Sequence, residues 1–203
     1  MEQSKLPFYQ HFSSIRENPK WGLKFFITLV LSSLTSILSA MSLDYDKMYK
    51  AEGMSPTEIE QAKTFSNIII FISTPIMSAI FIGIVFLIVL AISKSMSSDA
   101  NVKTILSGTL SYLLISCAVG FVVMLIQWFA GLSPDDYSIT SLNIFDKGNM
   151  ILGIFDLQFL LSAYLFGLML YATIHLSKKP AILWTIIYIT INIAITGTFA
   201  MFG

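Results

Sequence analysis

Residues 64–93, TFSNIIIFISTPIMSAIFIGIVFLIVLAIS, are thirty consecutive positions without a charged side chain. A helix rises about 1.5 Å per residue, so roughly 20 apolar residues cross a hydrocarbon core of ~30 Å. Four more uncharged runs flank this one, at 25–43, 104–134, 157–177 and 180–203, with 19, 31, 21 and 24 residues. In lipid each backbone polar group must find its partner within its own helix, so these runs predict helices. The expected fold is all-α: a polytopic membrane protein with five transmembrane helices, N-terminus inside and C-terminus outside. One integral membrane domain is expected over 1–203, with an amphipathic N-terminal tail at 1–18. The spans fall at about 22–43, 64–93, 104–130, 157–176 and 181–202.

Composition agrees. Apolar residues make up 55% and charged residues 12%, where a soluble domain carries about 25% charged. The formal net charge is zero, so nothing points to a nucleic-acid partner. The single cysteine, Cys117, lies inside the third run and has no partner for an intrachain disulfide or a thiolate metal site. It is expected to be a small apolar residue. Lys20 and Lys24 before an apolar run ending Ala40-Met41-Ser42 resemble a signal peptide. The tail before the run is long and the run is at the long end for such a segment, so it is assigned as a span.

Charge sets the expected topology. Lysine and arginine favour the cytoplasmic ends of spans. Lys5, Arg16, Lys20 and Lys24 in the tail, Lys94 and Lys103, and Lys178 and Lys179 are eight of the twelve cations, and all fall on one side. The other side holds Lys47, Lys50, Lys63 and Lys147, together with Asp44, Asp46, Glu52, Glu58, Glu60, Asp135, Asp136 and Asp146. Five crossings place the two termini on opposite faces, as this bias requires.

Local signals place the helix ends. Asn18-Pro19 reads as an N-cap followed by proline at the first helical position. Before it, Leu6, Phe8, Tyr9, Phe12 and Ile15 mark a short amphipathic helix. It either lies on the inner membrane surface or packs on the bundle. Ser55-Pro56-Thr57-Glu58 is a capping box opening a helix that continues into the second span. Pro75 inside that span predicts a packing kink.

Polar residues near the spans are the candidate sites. Asn67, Gln127, Asp156 and Gln158 are expected at one level near the outer rim, with Thr196 and Thr198 able to join them. An ionisable group at a membrane span is a functional candidate. Asp156, however, sits where it can cap the fourth span, and the cluster reads first as a cap plus hydrogen bonds between helices. Thr28, Ser32, Thr35 and Ser39, continued by Ser42, form a stripe of small polar residues on one face of the first span, suited to close helix packing. Asn192 is expected to bond to a neighbouring helix. His175, beside Lys178 and Lys179, is expected at the inner headgroup level. His11 lies in the tail, so the two histidines form no metal-binding pattern.

No Ser/His/Asp grouping, Gly-x-Ser-x-Gly, intramembrane carboxylate pair or phosphate-cradling glycine loop appears in the sequence. No catalytic residue, metal or cofactor is therefore expected.

The order of several short segments resembles the Yip family, five-span membrane proteins named for Ypt/Rab-interacting homologues, and its bacterial members in particular. The segments are Glu17-Asn18-Pro19-Lys20, Met54 to Ala62 (MSPTEIEQA), Thr74-Pro75-Ile76 and Val102 to Leu106 (VKTIL) with Tyr112. Ile139 to Leu142 (ITSL), Ile154 to Leu157 (IFDL), Gly167-Leu168 and Leu176 to Ala181 (LSKKPA) complete them. The resemblance implies an N-in, C-out bundle without enzymatic activity, in a bacterial cytoplasmic membrane. Eukaryotic members resemble trafficking adaptors, but their long cytosolic N-terminal region is missing here. Some bacterial members resemble accessory partners of ABC-type exporters that protect against toxic peptides.

Two functions follow as expectations. The first is a non-enzymatic scaffold or accessory protein that binds another membrane protein, surrounded by membrane lipids and able to form homo-oligomers. The second is a small transporter, channel or lipid-handling protein with the outer polar residues as its vestibule.

Overall fold

The structure is a computed structural model that describes residues 5–43, 45, 49–50, 53–134 and 136–202. Asp44, Asp46, Lys47, Glu52 and Asp135, used above for the charge bias, lie outside the described residues. The helices are α1 (Tyr9–Glu17), α2 (Gly22–Met41), α3 (Pro56–Ser95), α4 (Val102–Phe129), the single turn α5 (Met150–Gly153), α6 (Leu157–Ala172) and α7 (Lys178–Phe202). A 3-10 turn, Leu142–Phe145, lies between α4 and α5. Among the described residues the only β-type pairing is an isolated bridge between Ser141 and Asp156.

Helix α4 is the centre of the bundle. It packs against α1, α2, α3 and α6, while α7 packs on the far side of α6. Ile105 and Leu110 of α4 are fully buried, as are Leu165, Met169 and Leu170 of α6 and Val89 of α3. Glycine permits two of the close approaches. A methyl group on Gly108 would meet Thr173 Cγ2 at 2.8 Å, and one on Gly167 would run into the Thr185 hydroxyl.

The outer faces are apolar. Phe65, Ile72, Ile76, Ile80 and Leu87 of α3 and Ile182, Ile186 and Ile191 of α7 are exposed. Water-soluble monomers rarely expose apolar surface on this scale. Facing acyl chains, it has no such cost. Four helical segments, Gly22–Met41, Pro56–Ser95, Val102–Phe129 and Lys178–Thr198, are long and apolar enough to cross a membrane.

The remaining helix, α6, is shorter than its stretch at 157–176 predicts. It has 16 residues, or ~24 Å. The chain leaves the helix at Thr173 and turns at His175, whose φ is 59°, in the left-handed region. The amides of Ile174 and Leu176 close this turn by donating to the carbonyls of Met169 (3.1 Å) and Leu170 (3.0 Å).

Two expectations about helix ends separate here. Glu58 Oε2 accepts from the Ser55 amide at 2.8 Å and from Ser55 Oγ at 2.7 Å, so α3 begins where the capping signal placed it. It runs unbroken through Pro75 for 40 residues. Asn18-Pro19, in contrast, does not start α2. Asn18 closes α1, its amide donating to the Ser14 carbonyl at 3.3 Å, and α2 starts at Gly22. Proline disfavours helical geometry in the residue before it, so Pro19 ends one helix here and does not open the next.

Candidate functional site

Polar side chains gather at both ends of the bundle. At the end carrying residues 137–158, Gln127 comes from the last turn of α4 and is 4% exposed. Its Nε2 donates to the Tyr137 carbonyl at 3.0 Å and its Oε1 accepts from the Ile139 amide at 3.3 Å. Asp156 caps α6: Oδ1 accepts from the Gln158 amide at 2.6 Å. Its other oxygen accepts from Ser138 Oγ at 3.1 Å. Asn143 Oδ1 accepts from the Ser138 amide (2.9 Å) and from Ser141 Oγ (2.5 Å). The Leu157 amide donates to Thr140 at 2.9 Å. Residues 137–143 are thereby tied to the ends of both α4 and α6.

Lys147 and Asp136 pair at 2.7 Å on the surface of this loop, and the carboxylate raises the lysine's pKa. The Lys147 ammonium also lies 5.7 Å from the centre of the Tyr137 ring.

The four residues expected at one outer level do not form one group. Gln127 and Asp156 meet through the 137–143 loop. The Gln158 side chain lies against α4 instead, its Nε2 2.5 Å from where a Cβ on Gly120 would stand. Asn67 is exposed on α3. Thr196 and Thr198 are exposed on α7, where the Thr198 hydroxyl donates to the Ala194 carbonyl. Asn192 likewise bonds within its own helix, to the Tyr188 carbonyl at 3.0 Å, not across to a neighbour.

On α2, Thr28 is buried and Ser32, Thr35 and Ser39 are half-buried. The hydroxyls of Thr28, Ser32 and Thr35 donate to carbonyls of their own helix. Thr28 and Ser32 face a cleft of about 400 Å³ shared with Thr74 and Ser78 of α3 and Cys117 of α4.

The other end of the bundle holds a second network. Helix α1 packs on α4 and α6 with Phe12 fully buried and Ile15 almost so. Of the two placements open for the tail, the described residues adopt the one on the bundle. The Thr173 hydroxyl donates to the Phe12 carbonyl at 2.7 Å. Arg16 donates to the Thr173 carbonyl at 3.3 Å and pairs with Asp99 at 2.8 Å. That hydrogen bond holds the Asp99 carboxyl below its ordinary pKa. The Tyr164 hydroxyl donates to Pro7 at 2.7 Å. Below α1, Lys24 Nζ donates to Ser107 Oγ at 3.1 Å, and Ser107 Oγ donates to the Lys20 carbonyl at 2.8 Å. Ser98 Oγ reaches the Ile174 carbonyl at 2.6 Å and joins the α3–α4 loop to the turn after α6.

Burial, and then the positive charge of Lys24, lowers the His11 pKa. Burial, and then Arg16, lowers that of His175, with Asp99 opposing.

Sequence reasoning missed this network. Thr173 carries no pattern of its own, and Arg16 and Asp99 are 83 positions apart. The one available signal was Arg16 among the apolar residues of the tail. Among the described residues, no three His, Cys, Asp or Glu side chains converge as a metal site.

A bundle of long apolar helices with lipid-facing surfaces, its polar groups tied together at the two ends, defines an integral membrane protein. The Yip1 domain family model matches residues 8–199, nearly the whole chain, and the protein belongs to that family. No curated protein and no solved structure matches the chain.

Proposed function

We propose that this protein is a non-enzymatic scaffold or accessory subunit that acts by binding another membrane protein. The observation that carries this reading is the use made of the polar side chains. Gln127 and Asp156, the strongest candidates for a vestibule, have their hydrogen-bonding atoms committed to holding the 137–143 loop. The inner cations Arg16 and Lys24 are likewise committed to α4, the loop before it and the turn after α6. Large apolar faces on α3 and α7 remain for lipid and partner helices. Small hydroxyl residues bonded to their own backbone, as at Ser32 and Ser36, allow a second helix to approach closely.

The protein crosses the bacterial cytoplasmic membrane five times in this reading, with α1 inside. The partner class is a multi-span membrane protein such as an ABC-type exporter in a toxin-protection system. The absence of a catalytic grouping in the sequence supports a non-enzymatic role. Purification from native membranes in a mild detergent, followed by identification of stoichiometric partners, tests the proposal. A single co-purifying membrane protein is expected. Recovery of the chain alone, together with solute flux in reconstituted vesicles, would replace it with the transport reading.

A further inference from the structure

A cavity lies between α6 and α7. It measures about 520 Å³, is open on one side, and has Leu168, Ala181, Ile182 and Ile186 in its walls, with Leu6 of the N-terminal segment closing one flank. Its origin is local. Gly167 has no side chain and Ala181 only a methyl group, so a channel is left beside the contact between Gly167 and Thr185. This volume falls within the range of small-molecule sites.

The chemistry of the lining selects the occupant. Two of the three hydroxyls in the wall are hydrogen-bonded: Tyr164 donates to the Pro7 carbonyl at 2.7 Å and Thr185 to the Ala181 carbonyl at 2.8 Å; the third belongs to Tyr171. Leu6, Leu168, Ala181, Ile182 and Ile186 make the rest of the wall largely aliphatic, as suits a hydrocarbon chain. One charged side chain lines the groove, Lys178 at the start of α7. Lys179 follows it in sequence, and Lys5 precedes Leu6. Lys178 is the cation at the cavity.

Its depth fits as well. Lys178 and Ile186 are eight residues apart on one helix, which is ~12 Å. One leaflet is half of a ~30 Å hydrocarbon core. The length of the groove along α7 is thus comparable to the depth of one leaflet.

We propose that this groove is a binding site for a single anionic phospholipid of the leaflet on the α1 side. One acyl chain lies along Leu168, Ala181, Ile182 and Ile186, and the phosphate-bearing headgroup pairs with Lys178. The site is independent of the partner-binding reading. It makes the N-terminal segment, through Leu6, part of a lipid-contacting wall.

Native mass spectrometry of the full chain in mild detergent tests the site. Phosphatidylglycerol and phosphatidylcholine of identical acyl chains are added at equal concentration. The unmodified protein is expected to retain one phosphatidylglycerol in preference to phosphatidylcholine. Lys178→Gln should lower that preference about fivefold, the effect of one lysine beside an anionic lipid surface. Ile182→Trp, which fills the groove, should abolish retention of both lipids. Ile195→Trp, on an exposed part of α7 outside the groove, should change nothing. Circular dichroism checks that each variant is folded. Equal retention of the two lipids by the unmodified protein, or undiminished retention by folded Ile182→Trp, would overturn the assignment.

Discussion

The hydroxyl of Thr173 donates to the main-chain carbonyl of Phe12 across 2.7 Å, and both residues are completely buried. This bond joins the N-terminal helix to the end of α6. Thr173 also packs on α4 where Gly108 leaves room, so one side chain at the end of α6 touches two other helices. The Phe12 carbonyl keeps its helical partner within α1, so removing the Thr173 oxygen costs one ordinary hydrogen bond, about 0.5–1.5 kcal/mol. Thr173→Val is expected to lose stability in that range, read by thermal unfolding in detergent. Amide exchange across residues 9–17 should quicken more than exchange across α4.

Arg16 and Asp99 contribute unequally to the same contact. Asp99 is exposed, so its ion pair is screened by water. Arg16 also donates to the Thr173 carbonyl. Arg16→Ala is therefore expected to speed exchange in α1 clearly, and Asp99→Asn only slightly. Equal effects would show that the ion pair alone anchors the helix.

Mild acid should loosen this end of the bundle. His11 and His175 are both held below the ordinary imidazole pKa, chiefly by burial. The folded state thus favours the neutral ring, and the unfolded state binds more protons once pH falls below about 6.5. Stability is present above that pH and declines below it. Lowering the pH from 7.5 to 5.5 should reduce protection of residues 9–17. His11→Gln should remove part of that dependence.

Gly167 and Thr185 set the spacing of α6 and α7. Gly167→Ala forces a methyl group onto the Thr185 hydroxyl and is expected to cost about 1–3 kcal/mol by overpacking. Thr185→Ala removes the obstructing atoms. The double variant should recover most of the loss, as measured by unfolding of both single variants and the pair.

Asp156 is a cap on this account, not a carrier of protons. Both carboxylate oxygens accept hydrogen bonds, from the Gln158 amide and from Ser138. Asparagine keeps an acceptor and caps as well as aspartate, so Asp156→Asn should be nearly neutral in unfolding assays. Asp156→Ala should cost about 0.5–2 kcal/mol.

What the sequence made legible divides along physical lines. The apolar runs, the Ser55-Glu58 cap and the Asp156 cap are local patterns, and each is found where its residues stand. The mutual placement of polar residues is not local. Asn67 and Gln127 share a level only if straight helices of known depth are assumed. In the structure Gln127 turns into the 137–143 loop while Asn67 stays exposed on α3. The dock of α1 depended on pairings such as Thr173 with Phe12, 161 residues apart, which no periodicity encodes. The misplaced start of α2 has a different cause: Asn-Pro ends a helix as readily as it begins one.

The central structural claim is five crossings with α1 inside. Site-specific labelling with a membrane-impermeant thiol reagent tests it most directly. Cys117 is first replaced by alanine, and single cysteines are then placed at Lys5 and Asp136. In right-side-out vesicles the account predicts labelling at position 136 and none at position 5, with the reverse in inverted vesicles. Labelling of both positions from the same side would contradict it.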